Sequence, residues 1–260
     1  MTSIDNDDKL FSTLVCGETN ETSQLSAILK NMSIPIDHYF NLILSYRDAN
    51  IDSKDMTFLG PFCGRALLEA SLTVLLGRID PFRILVISKF QSSQSYDLHK
   101  RNEIAIAWNK DILTDNKPNP KIWTDPLKIE QISRSLFSPY VDEIFWKPSA
   151  TQLIDLLGTL PEVPTILSIV KETEPENFIK KIKGIATSVY STLSKGTHAE
   201  FVVPIHSVCD QTTINDKFDQ LLKVIVCLAM ASHFIETAQS RLSFERSFEL
   251  AKKIQEKIPC

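Results

Sequence analysis

The sequence predicts an all-α fold, a multi-helix bundle of roughly eight to ten helices in a single domain. Three observations carry that expectation. Glycine is rare, with 7 residues in 260, whereas a fold of tight hairpins draws on glycine for its positive φ angles. The 13 prolines cluster between apolar segments, where proline punctuates helices. Within those segments apolar residues recur at spacings of three and four, the period of a helix with one buried face.

Taken in order, residues 1–22 form a polar N-terminal segment, expected to be flexible, and 23–260 form the helical domain. Leu25, Ile28 and Leu29 share one helical face. Ile36, Tyr39, Phe40, Ile43 and Leu44 share another in the next segment. Pro61 stands where a helix accepts proline as its first residue, and Gly77 is suited to end that helix. The segment between them buries Phe62, Ala66, Leu67, Ala70, Val74 and Leu75. Asp80-Pro81 opens a further helix through Ile84 to Ile87, with a break near Ser92. The run 114–126, TDNKPNPKIWTDP, is the clearest loop, with three prolines.

Short helices are expected between Asp125 and Leu157, and new breaks at Pro161 and Pro164. Phe178, Ile182, Ile185, Val189 and Leu193 mark a strongly amphipathic helix from Pro175 to Ser194. The run FVVPIHSV after it reads as a short extended piece. Thr213 and Asp216 have the spacing of a capping box. The helix behind them, running to about Ser240, is apolar nearly all round (Phe218, Leu221, Leu222, Val224, Ile225, Leu228) and belongs at the centre of a bundle. Phe244 to Ile258 closes the chain as an amphipathic helix.

Composition narrows the function classes. The net charge of −4 and the pI near 5.8 leave no global basic field for nucleic acid. The five cysteines are widely spaced and lack CxxC pairs, which fits neither a disulfide framework nor a zinc ribbon. The acidic start MTSIDNDDKL is no secretory n-region. The most apolar stretch, Leu221 to Ala231, is shorter than the roughly 20 residues of a bilayer span. The cytoplasm is the expected location, and no membrane partner is expected. No P-loop, GxGxxG turn, GxSxG elbow or HExxH pair is present, so no cofactor and no metal are expected.

One stretch carries candidate chemistry. In Tyr190 to Glu200, YSTLSKGTHAE, a helix runs into Ser194-Lys195-Gly196, and His198 follows at once. Gly196 suits a helix C-cap, and a helix C-terminus favours a protonated imidazole. Such a histidine beside a hydroxyl and an amine can hold phosphate or act as a general acid; it can equally cap loop carbonyls. Arg65 and Glu69, four residues apart on one helix face, are costly on an apolar helix unless paired or facing a cleft. They form either half of a phosphate site or an internal ion pair between two helices. His198-Ala199-Glu200 matches half of the zinc-deaminase motif, but no P-C-x-x-C follows. His198, His206 and Cys209 form at most a loose metal set that their spacing does not require, and His233, on the apolar helix, reads as a satisfied core histidine.

The pattern Tyr190, Leu193, Ser194, His198 resembles the Y-x-x-L-S-x-x-x-H signature of certain bacterial HEPN-like helical bundles. Arg65 and Glu69 resemble the R-x-x-x-E helix that often precedes it. The two stretches cover a small part of the chain. That superfamily contains metal-independent ribonucleases, toxin and antiviral defence components, stress-response proteins and inactive partner-binding members. Its active members carry Arg-x(4–6)-His; here no arginine precedes His198 at that distance, where Thr192 and Leu193 stand.

The resemblance implies an RNA-binding or RNA-processing protein that dimerises. His198 would be the acid or phosphate ligand, Arg65 and Lys195 would hold phosphate charge, Glu69 would orient Arg65, and Ser194 or Tyr190 would assist. The alternative is a non-catalytic helical module that binds a protein partner, favoured by the missing arginine and the acidic balance. The catalytic reading needs His198, Lys195 and Arg65 around one cleft. The module reading expects Arg65 buried against Glu69 and away from His198.

Overall fold

The computed structural model describes residues 9–18, 23–47, 53–94, 96, 97, 99, 136–197 and 209–258. Among them every regular element is helical, as the apolar periodicity predicts. In chain order these are α1 (Leu10–Cys16), α2 (Gln24–Tyr46), α3 (Ser53–Ile79), α4 (Pro81–Gln91), α5 (Pro139–Val141), α6 (Lys147–Gly158), α7 (Ser168–Lys171), α8 (Pro175–Thr197), α9 (Gln211–Ser232) and α10 (Phe244–Lys257). A π-helical turn, Asp142–Trp146, joins α5 to α6.

α3 and α9 form the axis of the bundle. α3 packs against α2, α8 and α9, and α9 packs in turn on α8. From Val224 to Ser232 every residue of α9 is buried, so this helix is apolar all round because protein surrounds it on all sides. By length and composition Lys54–Ile79 could cross a membrane, and 61% of that window is buried inside the fold, the pattern of a core helix. α1 and α10 lie together at one end, and α1 also contacts α2, α3 and α9.

Several boundaries differ from the sequence expectation, each for a visible reason. Residues 10–16, read as part of a flexible segment, form α1 and bury Leu10, Phe11, Leu14 and Val15. Phe11 stacks on Phe40 at 4.3 Å. The Asp37 carboxylate accepts from Ser12 N at 2.9 Å and from Ser12 Oγ at 2.6 Å, which supplies the anionic cap a helix N-terminus favours. α2 and α3 run straight through Pro35 and Pro61. Gly77 does not end α3; it lies inside the last turn, where an added Cβ would come within 2.4 Å of Ile84.

α9 is capped by Asp210, whose carboxylate accepts from Thr213 N at 2.9 Å and Thr213 Oγ1 at 2.8 Å. These bonds hold the Asp210 carboxyl below its ordinary value, and Thr213 is the donor rather than the cap. α9 stops at Ser232, not near Ser240. The breaks at Ser92, Pro161 and Pro164 fall as the sequence predicts. The loop 114–126 and the FVVPIHSV run lie outside the described residues, apart from Cys209 just beyond the latter.

Candidate functional site

The candidate residues sit where α3 and α8 run side by side in opposite directions. Pro61 faces Gly196, Gly64 faces Leu193, and Arg65 faces Tyr190. Gly196 makes this approach possible. It lies within α8 rather than at a cap, and an added Cβ would meet Pro61 at 2.5 Å and the Cys209 Sγ at 2.8 Å. A proline ring in a helix has little room to yield. Gly196→Ala is therefore expected to lower stability by about 1–2 kcal/mol, read from urea denaturation. A variant as stable as the parent would show that the two helices are not in this close contact.

Arg65 is engaged on two sides. Its Nε donates to Glu69 Oε1 at 2.9 Å, and its guanidinium carbon lies 4.8 Å from the centre of the Tyr190 ring, a cation–π contact. The hydrogen bond to Glu69 raises the Arg65 pKa above its ordinary value, with burial acting the other way. The pair is formed within one helix; what reaches the second helix is the stack on Tyr190. With the side chains 28% and 44% exposed, it sits at the edge of the core.

Ser194 lies one turn beyond Tyr190 on α8. Its Oγ is buried and has no hydrogen-bond partner among the described residues. Lys195, the next residue, is exposed. Arg65, Glu69 and Tyr190 are thus brought together, Ser194 adjoins them in α8, and no contact joins Lys195 to Arg65 among the described residues. His198 lies outside the described residues, as does His206.

The other candidates resolve into core. Burial pushes the thiols of Cys16 and Cys227 up to about 12 and raises those of Cys63 and Cys209, which suppresses the thiolate needed for nucleophilic or metal chemistry. Among the described residues, no three His, Cys, Asp or Glu side chains are grouped to hold a metal. His233 is a satisfied core histidine: Nε2 lies 2.9 Å from Leu14 O and Nδ1 lies 3.0 Å from Arg78 Nη2.

Two features escaped the sequence reading. Phe62, expected in the core, is 54% exposed, and Phe58 one turn before it is 57% exposed. With Tyr39 of α2, whose ring meets Phe62 edge-on at 6.3 Å, they form an aromatic strip that ends beside Arg65. The spacing 58, 62, 65, 69 along one face of α3 was the available signal, but a helical stripe does not say which side faces solvent. The second feature is Arg78, wholly buried in a polar hub.

Comparison with known proteins returned no matching family model, no matching curated protein and no matching solved structure. The class that the fold defines is therefore the coarse one, an all-α multi-helix protein.

Proposed function

We propose that the chain is a non-catalytic, HEPN-like helical module that binds a protein partner. The observation that carries this reading is the engagement of Arg65. Its Nε is committed to Glu69 and one face of the guanidinium to the Tyr190 ring, which leaves only its Nη donors for a phosphate. The exposed Phe58 and Phe62, backed by the half-buried Tyr39, have the composition of an interface core, where aromatics are enriched and charge is sparse. The acidic balance of the chain supports a protein partner over RNA.

A second reading, an RNA-processing HEPN-like protein in stress response or antiviral defence, draws support from Ser194. A buried hydroxyl without a partner among the described residues, one turn from Tyr190, leaves a donor and an acceptor open to a ligand. One comparison separates the two. Purified wild type, His198→Ala and Arg65→Ala are incubated with RNA in the presence of a chelator, with thermal melts as the folding control. In parallel, a photo-cross-linking phenylalanine analogue replaces Phe62 in cells, with Lys252 as the control position. The module reading expects no cleavage and a discrete cross-link from position 62 alone. Cleavage by wild type that a folded His198→Ala variant loses makes the ribonuclease reading the stronger one.

A further inference from the structure

A cavity of about 730 Å³ opens between α2, α3, α4 and α8. Small-molecule sites fall at roughly 300–1,000 Å³. Its wall is mainly apolar, from Leu29 and Met32 of α2, Val74 of α3, Ile84 and Ile87 of α4, and Phe137. The two ends differ in chemistry. Glu69 and Tyr190 line one, with Thr187 a turn away on α8. The other closes where Gly77 packs on Ile84. From Glu69 to Gly77 is two turns of α3, roughly 12 Å.

Charge decides what such a space can hold. Glu69 is the one charged residue among the described residues lining the cavity, and Arg65 already neutralises it through Oε1. An ionic ligand would lose its hydration against this apolar wall and find no free countercharge among the described residues. A neutral ligand loses little, and Glu69 Oε2 remains an acceptor for a donor group at its end. We propose that this cavity binds a neutral, largely apolar small molecule carrying a hydrogen-bond donor, such as a long-chain alcohol, with its donor at Glu69 and its apolar body running toward Ile84. The site is independent of the aromatic strip and stands whether or not a protein docks there.

The test uses the full chain and the neutral fluorophore N-phenylnaphthylamine. Saturable one-to-one binding is expected, displaced by decanol and about tenfold more weakly by decanoate or decylamine. Thr73→Trp, which places an indole in the cavity, is expected to weaken the probe by about tenfold or more with an unchanged far-UV spectrum. Ile87→Trp fills the space from α4 should the first variant fail to fold. Absence of saturable binding overturns the proposal, as does binding that both folded tryptophan variants retain. Equal displacement by decanol, decanoate and decylamine overturns the assignment of a neutral ligand.

Discussion

Arg78→Met is expected to destabilise the protein by about 3–5 kcal/mol, a large part of the roughly 5–15 kcal/mol available to a folded domain. The side chain is fully buried, and among the described residues no carboxylate is a hydrogen-bond partner of it. Its charge is met by acceptors from three separate places in the chain. Nε donates to Gln239 O at 2.9 Å; Nη1 donates to Val15 O at 3.0 Å and Ser232 Oγ at 2.8 Å; Nη2 donates to His233 Nδ1 at 3.0 Å. Burial pushes the guanidinium pKa down to about 10, so it remains charged at neutral pH. A methionine of similar length fills the space and leaves the Val15 carbonyl without this donor in a buried site, and the Gln239 carbonyl without it in a partly buried one.

Arg78→Lys is expected to rescue little, because one ammonium cannot reproduce a planar fork aimed at three segments. Urea denaturation followed by circular dichroism reads the loss. A methionine variant within about 1 kcal/mol of the parent would show that the hub is not a principal tie. The backbone around the hub is specialised as well. Gly17 has φ 75° and ψ −177°, a conformation only glycine adopts readily, and a Cβ there would collide with the Ser240 carbonyl.

That hub marks the limit of what the sequence could disclose. Periodicity is a local signal, and it located α8, the buried face of α9 and α10 because their apolar rows are set within each helix. It also placed His233 in the core. Arg78 carries no such signal, since its acceptors come from residues 15, 232, 233 and 239. Pro61 misled for a related reason. A proline is a local breaker, yet α3 continues through Pro61 because Met56 and Cys63 on either side are buried in the core. At the candidate site, the Arg65–Glu69 spacing was readable as a pair on one face. Tyr190 entered the same site through the resemblance, but its stack on Arg65 was not readable, because that contact depends on the register of α8 against α3, which Gly196 and Gly64 set.

The same hub makes stability depend on pH through His233. Arg78 can only donate, and Leu242 N also donates to His233 Nδ1 at 3.1 Å, so Nδ1 carries no proton. Nε2 lies 2.9 Å from the Leu14 carbonyl and must hold the proton. The ring is therefore neutral, and charging it would require Nδ1 to turn a proton toward a guanidinium. Burial is the main cause that holds its pKa well below 6.5; Arg78 and Arg241 add to it, and the Leu14 carbonyl opposes it. The unfolded chain binds the proton near pH 6.5 while the folded chain does not. This contribution is complete above pH 6.5 and is lost as pH falls below it. The expected loss is about 1.4 kcal/mol per pH unit until the folded ring titrates.

His233→Gln, which keeps an acceptor and a donor but cannot titrate, is expected to be less stable than the parent at neutral pH and to converge on it as pH falls. The carboxylates of Asp210 and Glu245, held below their ordinary values by hydrogen bonds at helix N-termini, also lose stability in acid. They do so in both proteins and cancel in the difference. Urea midpoints measured for the two proteins across acid and neutral pH give the comparison. Parallel pH profiles would mean that His233 takes up its proton inside the fold as readily as outside, and that the Arg78 hub is open to water.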